Sequence, residues 1–225
     1  MVMTDKDFGE EKEITIDQAR LADIPAIAAI FTASFEESVR HHCGGTLPKP
    51  RAMQDVFTLV YRSEPQAAIV ARTQEGRVAG YCFAPVNLSG LWRRAVWQGH
   101  LFTWGWRWLT GQYGFGLYPV KIIIMNKFAF LSSALSLRQR KADGRILSIA
   151  VGSDFRGQGV ASRLLEKAIA YFIKQNVTVV RLEVRPQNHA AIRVYKKWGF
   201  FPDGFTKDSQ GQWLIMFKEM ERHDV

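Results

Sequence analysis

Apolar positions along this chain alternate, shift to helical spacing and then alternate again, and the order of these shifts predicts its elements. Ile14 to Arg20 reads as a first strand, and a helix follows from Asp23 with Ile27, Ile30 and Phe31 on one face. Residues 34–62 read as a second helical region, interrupted by Cys43-Gly44-Gly45 and by Pro48 and Pro50. Ala67–Ala71 and Arg77–Phe83 are strand-like runs on either side of Gln74-Glu75-Gly76, the pattern of a hairpin.

Regularity returns at Gly144. Ile146–Val151 predicts a strand, and a glycine loop then leads into a helix with Leu164, Leu165, Ala168, Ile169 and Phe172 on one face. Val177–Val184 predicts a strand and Asn188–Trp198 a helix that Gly199 ends. Phe200–Phe205 and Trp213–Met220 predict two closing strands around a turn at Asp208–Gln212. Strands alternating with amphipathic helices define an α/β (α+β) fold class.

Composition narrows the setting. Of 225 residues, 47% are hydrophobic and 23% charged, enough for a core in a globular chain. Residues 1–12 are rich in Asp, Glu and Lys and read as a flexible acidic tail, without the apolar run of an export signal. The two cysteines, Cys43 and Cys82, form no pairing motif, so a reducing, cytoplasmic setting is expected, with neither a disulfide framework nor a cysteine-based zinc site. His41-His42-Cys43 lacks ligand spacing, so no metal is expected.

The glycine loop Arg156-Gly157-Gln158-Gly159-Val160-Ala161 joins a strand to a helix. Glycines let the backbone approach phosphate, and the first helical N–H groups lack internal partners and point at an anion. Arg156 can add a bidentate contact. A dinucleotide loop would want glycine where Ser162 stands, and a Walker loop would want Gly-Lys-Ser/Thr. A plain glycine turn is the competing reading of the loop taken alone.

Downstream, Asn188-His189-Ala190-Ala191 continues to Tyr195-Lys196-Lys197-Trp198-Gly199-Phe200. Together with the glycine loop, this strongly resembles the GCN5-related N-acetyltransferase (GNAT) superfamily, closely over residues 144–220 and more loosely over 14–83. The resemblance implies the acyl-CoA N-acyltransferase fold: a mixed central sheet, splayed open and flanked by helices, in a single domain over 13–225. It implies acetyl-CoA as co-substrate and a primary amine as acceptor, a small molecule or a peptide. Backbone groups of Ile149, Ala150 and Val151 would hold the pantetheine arm. The amides of Arg156, Gly157, Gln158, Gly159, Val160, Ala161 and Ser162 would take the pyrophosphate. Asn188 would hydrogen-bond the cofactor and Tyr195 would protonate the leaving thiolate.

Each role has a rival in packing. Asn188 stands where a helix N-cap is wanted, and Tyr195 shares a helix face with Ala191 and Trp198. Many relatives place a base at the position of Leu147, which cannot act. Glu183 in Leu182-Glu183-Val184-Arg185 is the alternative. It resembles the base of the bacterial ribosomal-protein N-terminal acetyltransferases, with the same spacing to the tyrosine. Its rival is an ion pair with Arg181 or Arg185.

One segment departs from that pattern. An insertion over about 88–140 holds five of the seven tryptophans, Trp92, Trp97, Trp104, Trp106 and Trp108. From Gly76 to Ala142 there are nine Lys and Arg and no Asp or Glu, so this stretch carries the whole net charge of +9. Residues 91–109 read as a helix with Arg93, His100, Thr103, Arg107 and Thr110 on one strip. The run Leu117–Leu137 contains Lys121 and Lys127 and is read as non-spanning. A flap over the acceptor site, a contact between two copies and attachment to an anionic membrane inner face remain open, whereas nucleic acid is disfavoured. The acceptor is read as amphipathic or related to envelope polysaccharide, with a protein N-terminus, or a non-catalytic CoA-binding module at the membrane, as alternatives.

Overall fold

The computed structural model describes residues 13–86, 100–114 and 140–220, and the side chains of these except at 100–103. Strand β1 (Ile14–Gln18) leads into helices α1 (Ile24–Ser34), α2 (Glu36–His42) and α3 (Pro50–Ser63). The hairpin β2 (Ala68–Thr73) and β3 (Val78–Phe83) follows, turning at Gly76, whose φ of 82° suits glycine. After α4 (His100–Leu109) come β4 (Gly144–Ile146), β5 (Ser148–Val151), α5 (Val160–Lys174), β6 (Val179–Val184) and α6 (His189–Lys197). The hairpin β7 (Phe201–Asp208) and β8 (Gly211–Glu219) closes the sequence of elements.

The strands form two four-stranded sheets, ordered β1-β2-β3-β5 and β4-β6-β8-β7. One line of chain, residues 144–151, runs between them. β4 pairs in parallel with β6 as far as Ile146 opposite Leu182, and β5 pairs antiparallel with β3. Leu147 still donates its N–H to the Phe83 carbonyl at 2.9 Å, so the chain stays bonded to β3 while it parts from β6. The expected single strand Ile146–Val151 is therefore broken at Leu147, and the sheet forks there. This is the splayed mixed sheet that the resemblance implies.

Two apolar clusters hold the halves. Leu164, Leu165, Ala168, Ile169 and Phe172 of α5 bury against Ile69 and Ala71 on one sheet and Val180, Leu182 and Val184 on the other. On the opposite face α1 and α3 place Ile24, Ile27, Phe57 and Val60 on Val70, Tyr81 and Phe83. Burial of these large side chains drives the assembly, at roughly 1.5–3 kcal/mol each. Gly144 is required beneath α5, because a Cβ there would lie 2.8 Å from the Phe172 ring.

The closing strands run further than their pattern predicts. β7 reaches Asp208 and β8 starts at Gly211, so the turn shrinks to Ser209-Gln210. Gly204 at φ 103° sits in an irregularity between Pro202 and Phe205, and Gly211 at φ 117° starts the return strand.

Of the insertion, α4 and the turn after it are described. Arg107 turns to α3, where its Nη1 meets both Asp55 oxygens at 2.5 and 2.6 Å, and Tyr113 donates to Asp55 at 2.7 Å. The acidic tail at 1–12, Arg93, and the run Leu117–Leu137 lie outside the described residues. Among those described, no helix is long and apolar enough to cross a membrane. Cys43 and Cys82 are both buried free thiols, and burial pushes Cys82 up to about 12.

Candidate active site

The fork opens a cleft of about 710 Å³ between β5, the loop before α5, and α6. Its floor is Ile149, Ala150 and Val151, whose edge toward β6 has no strand partner beyond Ile146 among the described residues. An unpaired strand edge offers backbone donors and acceptors to an extended ligand carrying amides.

The loop shapes the anion end. Gly157 and Gly159 adopt φ of 79° and 75°, and among the described residues nothing lies within 4 Å of where a Cβ would stand on either. That space is open to phosphate oxygens. Arg163 donates its N–H to the Gly159 carbonyl at 3.1 Å, which starts the helical ladder. The amides of Val160, Ala161 and Ser162 precede that first bond, so the helix itself cannot satisfy them. All three residues line the cleft, as do Arg156, Gly157 and Gly159.

Some expected contacts are otherwise engaged. Gln158 does not line the cleft, and its side chain donates to the Asp154 carbonyl at 2.9 Å, closing the loop. Arg156 bonds the Val151 carbonyl at 3.1 Å and reaches Ser34 Oγ at 3.4 Å, fastening the loop to the strand end and to α1. Ser162 Oγ accepts from the Trp198 indole at 2.8 Å, which ties α5 to α6. Asn188 caps α6 by accepting the Ala191 N–H at 3.1 Å, and its exposed side chain also lines the cleft. The cap uses the side-chain oxygen alone, so capping does not engage the amide N–H₂.

Tyr195 is 7% exposed and faces the same cleft, packed 6.0 Å from the Phe200 ring. Burial, with a smaller contribution from Cys82, raises its hydroxyl above the ordinary tyrosine value. It is therefore a protonated donor at neutral pH. Ala191 of the downstream motif also lines the cleft, as do Ser34, Phe35, Arg193 and Lys197, for which the sequence reading assigned no role. Arg193 and Lys197 are four apart on α6, a helical spacing that could have flagged two cations on one rim.

Glu183 stands apart from these. It does not line the cleft, and it is the first residue of β6 beyond the last pair with β4. One carboxylate oxygen meets Arg145 and the other meets Arg181 at 2.7 Å. The expected Arg185 partner turns away: it stacks over Trp213 at 3.9 Å and bonds Gln210 Oε1 at 2.8 Å. His41 and His42 are each hydrogen-bonded within the protein, to Ser209 Oγ at 3.2 Å and to the Ser38 carbonyl at 2.8 Å.

A forked mixed sheet, an unpaired strand edge and a glycine turn aiming helix amides into the fork define a protein built to hold an extended amide arm ending in phosphates. Residues 26–200 match the Acetyltransferase (GNAT) family, and the chain belongs to that family. Members of the family use acetyl-CoA, and the edge, the amides and the open glycines here fit its pantetheine arm and pyrophosphate.

An uncharacterized N-acetyltransferase of Methanocaldococcus jannaschii is 31% identical over 119 residues, 52% of this chain and 51% of that protein. The chain thus spans about half the length of that relative. The ribosomal protein bS18-alanine N-acetyltransferase of Salmonella typhimurium is 32% identical over 111 residues, 47% of this chain and 72% of that protein. Among solved structures, yncA from Salmonella typhimurium with its cofactor acetyl-CoA has a TM-score of 0.57 at 16% identity, covering 94% of this chain and 96% of its own. That last likeness is one of fold.

Proposed function

We propose that the chain is an acetyl-CoA-dependent N-acetyltransferase that moves an acetyl group, or a longer acyl, to a primary amine in a ternary complex. The observation that carries this reading is the fork, where the unpaired edge of β5, the first amides of α5 and the Tyr195 hydroxyl converge on one cleft. When bound, acetyl-CoA supplies a thioester carbonyl open to attack by a neutral amine. Backbone groups of Ile149 to Val151 orient the arm, and the amides around Gly159 to Ser162 hold the pyrophosphate. Asn188 adds a side-chain donor. Tyr195, kept protonated by burial, gives its hydroxyl proton to the departing sulfur.

Glu183 takes the proton lost by the amine. Its support is its place, just past the fork on β6 and twelve residues before Tyr195. The two guanidiniums keep its carboxylate oriented, and it accepts a proton by loosening one of them.

A protein N-terminus as acceptor is the second reading. It draws on the relative named for acetylating an alanine of ribosomal protein bS18 and on the run Leu182 to Arg185. For the insertion we keep attachment to an anionic membrane surface, because Trp106 and Leu109 stand 62% and 75% exposed on α4 within an acid-free stretch. Wild type and Trp106→Ser/Leu109→Ser floating equally with anionic vesicles would remove that part.

Thiol release over an amine panel tests the main reading. Tyr195→Phe should lower kcat by about a hundredfold and Glu183→Gln by about tenfold or more, with acetyl-CoA affinity retained. Turnover untouched by both changes defeats the catalytic assignment. Binding of acetyl-CoA without release on any amine would instead mark a non-catalytic module.

A further inference from the structure

A hydroxyl inside a helix tends to close on its own backbone, and two threonines of this chain do so. Thr32 donates to the Ala28 carbonyl and Thr110 to the Trp106 carbonyl, both at 2.9 Å and four residues back. Ser162, in the first turn of α5, makes no such bond among the described residues. Its Oγ meets the indole Nε1 of Trp198 at 2.8 Å instead. An indole N–H only donates, so the polarity of this bond is fixed and Ser162 is the acceptor. The hydroxyl hydrogen of Ser162 is left to point elsewhere.

Ser162 lines the cleft beside the amides of Val160 and Ala161. Those amides and its own precede the first bond of the helical ladder, so the helix leaves all three unsatisfied. A hydroxyl hydrogen directed into the cleft adds a side-chain donor to this backbone set, and several donors on one helix end suit an anion with several oxygens. Trp198 is well placed to hold that direction. It ends α6 with its backbone N–H on the Tyr195 carbonyl at 3.0 Å, and its ring packs against the main apolar cluster. The tie therefore joins the phosphate end of the cleft to the helix that carries Tyr195.

We propose that Ser162 donates its side-chain hydroxyl to the pyrophosphate of the co-substrate, and that Trp198 is the positioning residue that holds it in this orientation. The proposal rests on the acetyl-CoA site described above and adds to it one donor and the residue behind that donor. Without the indole N–H, Ser162 is free to rotate onto a carbonyl of the preceding turn, as Thr110 does, and the donor leaves the cleft. The loss then falls on the phosphate end of the ligand, because the arm is held elsewhere, along Ile149 to Val151.

Two ligands separate the ends of the site: CoA, titrated by calorimetry into the full chain, and pantetheine, which has the arm but no phosphate, measured by displacement of CoA. Ser162→Ala should weaken CoA about tenfold, and Trp198→Phe, which keeps an aromatic ring but removes the N–H, about fivefold. Pantetheine should bind both variants as it binds wild type. The double variant should lose no more than Ser162→Ala alone, since Trp198 acts through that hydroxyl. Ser162→Thr, which keeps the hydroxyl, should hold CoA to within about twofold of wild type. A double variant weakened about fiftyfold, the product of the two single losses, overturns the proposal. So does a Trp198→Phe loss that falls equally on pantetheine, which would mark packing alone. Unchanged CoA affinity in Ser162→Ala also overturns it, and leaves the cofactor reading standing. Failure of wild type to bind CoA at all brings down that reading and the proposal together.

Discussion

Tyr195 and Glu183 were both legible as chemistry, but their surroundings separate them. Tyr195 sits in an apolar wall, and removal from water disfavours its phenolate. Its folded pKa is raised, so the hydroxyl stays protonated from neutral pH upward, and any stability tied to it is present below about pH 10 and lost above. The kcat profile should accordingly show no alkaline fall from this group below about pH 10; a wild-type fall near pH 8 that vanishes in Tyr195→Phe would contradict the raised hydroxyl. Glu183 carries partners instead. Arg181, two positions away on the same strand, was foreseeable. Arg145 was not, because it lies 38 residues off and meets Glu183 only through parallel pairing of β4 with β6.

At the scale of elements, periodicity located α5 well, since its five apolar positions all became buried. The break at Leu147 carried no local signal: it arises because residues 144–151 serve one partner on one side and lose the other midway. The glycine turn illustrates the same division. Its two glycines could be read as backbone close to phosphate, yet the structure adds that both are at positive φ and face open space. Gly159→Ala should cost about 1 kcal/mol from the left-handed backbone and weaken acetyl-CoA about tenfold or more, as calorimetry would report. Unchanged affinity would remove the loop from the cofactor site.

The whole molecule is tied across its parts by a few polar contacts. Asp55 of α3 receives Arg107 and Tyr113 from the insertion, with both ion-pair side chains largely buried at 22% and 13% exposure. Burial and the Asp55 carboxylate raise the Tyr113 hydroxyl, so it donates at all ordinary pH. On the other flank, Ser38 of α2 donates to Gln210 in the β7–β8 turn at 2.6 Å, linking an element packed on one sheet to a hairpin of the other. Asp55→Ala should lose about 2 kcal/mol and expose residues 100–114 to protease while 160–200 stays protected. A double-mutant cycle with Arg107→Ala should give a coupling of about 1–2 kcal/mol. Additive effects would mean that the pair does not fasten the insertion.

By itself the sequence determined the order of strands and helices, the glycine turn and the Asn188 to Phe200 segment, because each is written in neighbouring residues whose periodicity and backbone freedom act locally. It also placed the whole excess charge in one stretch. Tertiary structure alone decided where the sheet forks, which guanidiniums hold Glu183, and that Arg107 turns inward to Asp55 rather than outward. Those outcomes depend on strand pairing and helix docking between residues tens of positions apart, where no local period reaches. The glycine turn and the Asn188 to Phe200 segment were thus readable from short runs of residues, while the fork itself exists only once β4, β5 and β6 are brought together.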